Sequence, residues 1–190
     1  MFIASGILSP ISNVLFIQDL GWERVEFTNI NGGYGVFLGL FGAIGGGFLA
    51  DYVGPKRVAT IGCIFLAMSY VTFGLSSPET GIIPWFDWNT KPAMITYILF
   101  DTFVSSLISA SLFAMYMTVS WPRIAATQFT AYMAILNLST VIGLKSSGVI
   151  SESFSLPTIF IAAAVLQLSV ISIFPFIDVH QARRVLGETS

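Results

Sequence analysis

One carboxylate stands among hydroxyls where carboxylates are rare. Asp101, Ser105 and Ser109 follow one another at i, i+4 and i+8, with Thr102 and Ser106 beside them, in a stretch otherwise made of apolar side chains. On a helix this spacing puts all three on one face. A second polar row, Ser5, Ser9, Ser12 and Asn13, shares a face of the first apolar stretch, and Asn137 places an amide in the fifth. The chemistry open to such a set is hydrogen bonding, proton uptake and release, and the binding of a polar solute. Covalent and metal chemistry find no support. Cys63 and His180 each occur singly, no nucleophile stands beside a base, and no two carboxylates share an apolar stretch. The reading is therefore of a non-enzyme with no metal and no cofactor.

The elements that must position these residues are membrane spans. The chain is 55% hydrophobic and 9% charged, against about 25% charged in ordinary soluble proteins, and its mean hydropathy is +0.82. Residues 27–50 and 58–78 carry no Asp, Glu, Lys or Arg, and each run exceeds the ~20 residues a helix needs to cross ~30 Å of hydrocarbon. Charge-free runs and their punctuation predict six helices over about residues 1–18, 30–51, 56–76, 93–119, 124–150 and 154–177. Residues 1–178 form one six-span unit and 179–190 a short tail. Only 77–92 is long enough for a real surface loop.

Orientation follows the Lys/Arg bias. With both termini cytoplasmic, Lys56, Arg57, Arg123, Arg183 and Arg184 lie inside, while Arg24 and Lys91 lie outside with most of the acidic residues. Trp22, Trp85, Trp88 and Trp121 all fall at or beyond span ends, where tryptophan prefers the interface. In this frame Asp101 lies about two turns inside its span. A charge there costs at least ~2.5–3.5 kcal/mol, so it faces a wet cavity or a partner unless the neighbouring loop hydrates it. Lys145, about five residues from its span end, is read as snorkelling to water. The serines serve equally as a polar path or as small residues that let helices approach. Gly35, Gly39, Gly42 and Gly46 form a close-packing stripe on the second span.

Between spans two and three runs Gly47-Phe-Leu-Ala-Asp51-Tyr-Val-Gly54-Pro-Lys56-Arg57. Gly54 and Pro55 permit a sharp reversal, and Lys56 and Arg57 sit against an anionic leaflet. The pattern resembles the cytoplasmic loop signature of the major facilitator superfamily of secondary transporters. Tyr116-Met-Thr118, the run from Pro122 to Phe129 containing Ala126-Thr127-Gln128, and Gly148 with Glu152 are similar to AmpG-type muropeptide permeases of the peptide–acetyl-coenzyme A transporter branch.

The resemblance implies an all-α membrane protein whose six transmembrane helices form one half, helices seven to twelve, of a major facilitator fold. Such a half is built from two three-helix repeats. The first helix of each repeat lines the central cavity, and the third sits outside against lipid. It further implies proton-coupled uptake of muropeptide-like or related small solutes, in a bacterial inner membrane, by a transporter whose N-terminal half is missing here. Consistent with a fragment, the chain opens at Met1 directly in a hydrophobic run. The expected pathway residues are Asp101, Ser105, Ser109, Ser9, Asn13 and Asn137. The resemblance gives Asp51 a gating role within the loop formed by Gly47, Gly54, Lys56 and Arg57. Partners are the lipid bilayer, the other half, a solute and protons, with no nucleic acid. One departure touches the substrate: Ser139-Thr140 stands where such permeases often carry Gly-Arg. The alternatives are an N-terminal half of another major facilitator, or a self-standing six-span scaffold without transport.

Overall fold

The computed structural model describes residues 2–84 and 86–177. Trp85, His180, Arg183, Arg184 and the predicted tail 179–190 lie outside the described residues. Six helices follow in order: α1 (Phe2–Asp19), α2 (Arg24–Val53), α3 (Pro55–Leu75), α4 (Lys91–Val119), α5 (Pro122–Ser153) and α6 (Leu156–Phe176). Each is long and apolar enough to cross a membrane, and no strand occurs among the described residues. The chain is an all-α, six-span membrane protein.

Local chemistry sets the breaks. Gly54 takes φ 100°, a conformation that only glycine adopts without strain, and Pro55 opens α3 at the position where a missing N–H costs nothing. Pro92 and Pro157 open α4 and α6 in the same way. Two spans start or end beyond the charge-free runs. At 30 residues, α2 begins at Arg24, well before the predicted residue 30. A helix of that length is about 45 Å long and outruns ~30 Å of hydrocarbon, so its charged first turn stands at headgroup height. Likewise α5 continues to Ser153, which leaves Lys145 eight residues from its end. Both α1 and α2 widen into π-helical turns, at Leu15–Asp19 and Asn29–Tyr34.

The principal packed pairs are α1–α5, α2–α4, α3–α6 and α3–α4, with α2–α3 and α1–α6 next. Apart from α2–α3, whose counterpart α5–α6 is only lightly packed, this set maps onto itself when α1, α2, α3 are exchanged for α4, α5, α6. Pair α1–α5 becomes α4–α2, α3–α4 becomes α6–α1, and α3–α6 returns to itself. The unit is therefore two three-helix repeats, inverted because three is odd, as in one half of a major facilitator. Small residues make the paired contacts. A Cβ on Gly46 of α2 would stand 2.5 Å from the Leu107 carbonyl oxygen of α4, and one on Gly42 would strike the Phe103 carbonyl. In the related pair, a Cβ on Gly6 of α1 would stand 2.5 Å from the Thr140 carbonyl oxygen of α5, and Gly143 is equally closed by Ile3. The stripe Gly35, Gly39, Gly42, Gly46 runs along α4, as its spacing predicts.

α3, expected outside against lipid, keeps Ile61, Ile64, Phe65 and Met68 exposed on one face. Within this unit α3 is the most buried helix, whereas α2 and α5 are the most exposed. Its side chains are apolar because Ala59, Cys63, Leu66, Ala67 and Phe73 form the core itself.

Candidate functional site

A polar cavity of about 310 Å³ opens between α1, α2, α3 and α4. From α1 come Ser5, Ser9, Ser12 and Asn13, stacked at helical spacing, and Phe16 from its π-turn. From α4 come Tyr97, Asp101 and Ser105 at i, i+4, i+8, flanked by Thr102 and Ser106. Phe27 and Asn31 are supplied by α2, and Tyr70 by α3. The first helix of each repeat thus forms a facing wall of the same space.

Asp101 supplies the one formal charge among these lining residues. Its Oδ1 is buried and has no hydrogen-bond partner within the protein. Tyr70 of α3 lines the same cavity as Asp101 and Ser5, so a phenol stands beside both walls. Phe73 stacks on Tyr97 with ring centroids 4.0 Å apart and fixes that second phenol. Several hydroxyls are partly satisfied by their own helix. Thr102 Oγ1 donates to the Ile98 carbonyl at 2.8 Å and keeps its lone pairs for a ligand. A carboxylate with an open oxygen, ringed by hydroxyls and amides and lacking a cation, can hold a proton, an ammonium group or hydroxyl-rich solutes.

An aromatic wall closes the α1–α2 end of the cavity. Phe16 stacks on Phe27 at 5.4 Å and meets the Trp22 ring edge-on at 5.2 Å. Lys91, the first residue of α4, pairs with Glu26 at 2.8 Å and lies 5.6 Å over the Trp22 ring. These contacts tie the start of α4 to the α1–α2 hairpin.

The structure brings together four of the six pathway candidates: Ser9, Asn13, Asp101 and Ser105. Ser109 does not line the cavity; its hydroxyl donates to the Ser105 carbonyl at 2.8 Å. Asn137 lies exposed on α5, away from this space. Sequence reasoning missed Tyr70, Tyr97 and Asn31. Tyr97 was available as the residue one turn before Asp101 on the same face. In the loop, Gly54 makes the reversal and Lys56 Nζ donates to the Ile177 carbonyl at 3.2 Å, tying the start of α3 to the end of α6. Asp51 and Arg57 are exposed, and Gly47 has open space around it.

Over 149 residues, 74% of its length, the chain is 30% identical to dipeptide and tripeptide permease B of Xenorhabdus bovienii (strain SS-2004). The chain is similar to part of a permease. The match covers 27% of that relative, so the chain spans well under half of it. No family model matches the chain, and no solved structure matches it.

Proposed function

We propose that this chain is one six-helix half, helices seven to twelve, of a proton-coupled transporter for small peptide-like solutes, muropeptides among them. The observation that carries the reading is the cavity built by the first helices of two inverted repeats around Asp101, in a chain similar to a permease for dipeptides and tripeptides. A peptide offers an ammonium group and amide dipoles, which suit a lone carboxylate with an open oxygen and a ring of hydroxyls. The lack of a cation assigns the solute's carboxylate to the opposing six-helix unit.

In this mechanism Asp101 takes up a proton or the solute ammonium, and the two cannot both be held tightly. Loading from one side and release to the other couple proton flow to solute movement as the halves rock about the fixed site. Asp51, exposed at the end of α2, latches the side where the termini lie, which we place in the cytoplasm of a bacterial inner membrane. Equilibrium binding of a dipeptide probe to the chain in lipid nanodiscs tests the site. Saturable binding that falls at least ~10-fold in Asp101→Asn is expected, since removing a charged hydrogen-bond partner is worth ~1.5–3 kcal/mol. Equal binding by wild type and variant would remove Asp101 from the site.

A further inference from the structure

Hydroxyls in the spans fall into two groups. Most donate to a carbonyl one turn earlier on their own helix, as Thr60, Thr96, Thr118, Thr130, Ser139 and Ser146 do at 2.8 Å. Such a bond settles a hydroxyl where water is scarce. Ser9 and Ser12 on α1, and Ser105 and Ser106 on α4, make no such bond among the described residues. The side-chain amides of Asn13 and Asn31 likewise bond to no described residue. These six all line the polar cavity, so its free oxygens are concentrated there.

Depth brings one of them level with the carboxylate. Lys91 pairs with Glu26 and lies over the Trp22 ring, so the start of α4 is level with the turn between α1 and α2. Asp101 lies ten residues after Lys91, and Ser9 ten residues before the end of α1 at Asp19. Both therefore stand about 15 Å below that turn, on facing walls of the cavity. Asp101 Oδ1 is buried and has no protein partner. Beside it Thr102 Oγ1 gives its hydrogen to the Ile98 carbonyl and keeps its lone pairs.

A carboxylate at this depth calls for one positive charge, and no Lys, Arg or His lines the cavity. A proton would neutralise Asp101 and leave the free oxygens around it unused. A hard metal cation uses them, because its whole shell comes from carboxylate, carbonyl, hydroxyl and water oxygens. One carboxylate balances one charge, so a divalent ion would keep an unbalanced charge inside the span. We infer that Asp101 and Ser9, with Thr102, Ser105 and the Asn13 amide oxygen, form a binding site for sodium, its shell completed by water. Sodium and a proton then compete for one carboxylate, and sodium becomes a second coupling ion. Binding of the ion stands apart from the proposed transport; what the ion drives rests on it. The other titratable groups facing Asp101 are the phenols of Tyr70 on α3 and Tyr97 on α4, and the lining residues of α1 and α2 carry none. No residue spacing announces this ligand set, since its oxygens come from two helices that only the fold brings together.

Binding of radioactive sodium to the full chain in lipid nanodiscs, at ionic strength held constant with N-methylglucamine chloride, tests the site without any solute. Saturable binding of one ion per chain is expected at mildly alkaline pH, displaced by unlabelled sodium and by lithium. Acid should weaken it, by an amount approaching about ten-fold per pH unit once the proton holds the carboxylate. Asp101→Asn keeps the side chain's size and should abolish binding. Ser9→Ala should weaken it ~10-fold or more. Ser146→Ala, at an exposed α5 serine bonded to its own helix, should leave it unchanged. Thermal melts of the same samples give a second readout: sodium should raise the midpoint of the wild-type chain and not that of Asp101→Asn. A cooperatively melting chain with no saturable sodium binding, binding retained by Asp101→Asn, or binding indifferent to pH would overturn the proposal. Sodium binding without dipeptide binding would refute the peptide reading alone, and dipeptide binding without sodium binding would refute the sodium site alone.

Discussion

Tyr70 stands beside both walls of the cavity, so the role of a single hydroxyl can be measured there. Tyr70→Phe keeps the ring in the core and removes the phenol hydroxyl that stands beside Asp101 and Ser5 in the cavity. A hydrogen bond to a charged group is worth ~1.5–3 kcal/mol, so dipeptide affinity should fall by roughly 10-fold or more. Ser105→Ala removes a neutral hydroxyl on the same face, worth ~0.5–1.5 kcal/mol, and should cost only a few-fold. Titration of a fluorescent dipeptide into nanodiscs carrying each variant separates the two. If Ser105→Ala weakened binding more than Tyr70→Phe, the phenol would be packing and not recognition. The polar rows on α1 and α4 were legible because hydroxyls and a carboxylate contrast sharply with an apolar background. Tyr70 was not legible. A phenol on an apolar helix reads as core until the fold turns it toward the cavity, and nothing in the local pattern of α3 says which way it turns.

At the scale of helices, the glycine contacts and one buried amide make opposite predictions. Gly46→Leu drives a branched side chain into the Leu107 backbone of α4, where a Cβ alone would stand at 2.5 Å. Overpacking of this kind costs ~1–3 kcal/mol or more, so the variant should unfold at lower temperature or fail to accumulate. Gln167 on α6 is buried against Cys63, and neither its Nε2 nor its Oε1 has a hydrogen-bond partner. A buried unsatisfied polar group costs ~1–3 kcal/mol, so Gln167→Met, nearly equal in volume, should raise the thermal midpoint. Light-scattering and tryptophan-fluorescence melts in detergent report both shifts. A lower midpoint for Gln167→Met would show that the amide is satisfied in the membrane. Six helices could be counted from charge-free runs, since length and apolarity alone decide whether a segment spans. Their ends could not, because charged end turns of long helices stand in the headgroups and still belong to the helix, as Arg24 does at the start of α2 and Glu152 at the end of α5. Burial order was also hidden: α3 and α6 are apolar on every face, and only the tertiary contacts show which faces meet each other.

At the scale of the molecule, inverted repeats place an even number of spans around one cavity, and the Lys/Arg bias makes a testable expectation of their orientation. Single cysteines at Glu79 and at Arg123, both exposed, should react with membrane-impermeant reagents from opposite faces, with Glu79 labelled from outside. Labelling of both from one face would break the six-span topology. The coupling of proton flow to solute movement by Asp101, proposed above, runs through a site shared by two six-helix units. It is tested most directly by peptide uptake into proteoliposomes carrying the assembled transporter, this chain with the unit that closes its cavity. Asp101→Asn preserves the side chain's size and removes its proton, so accumulation driven by an imposed proton gradient should collapse while exchange of peptide down its own gradient persists in part. Normal proton-driven accumulation by Asp101→Asn would contradict the account.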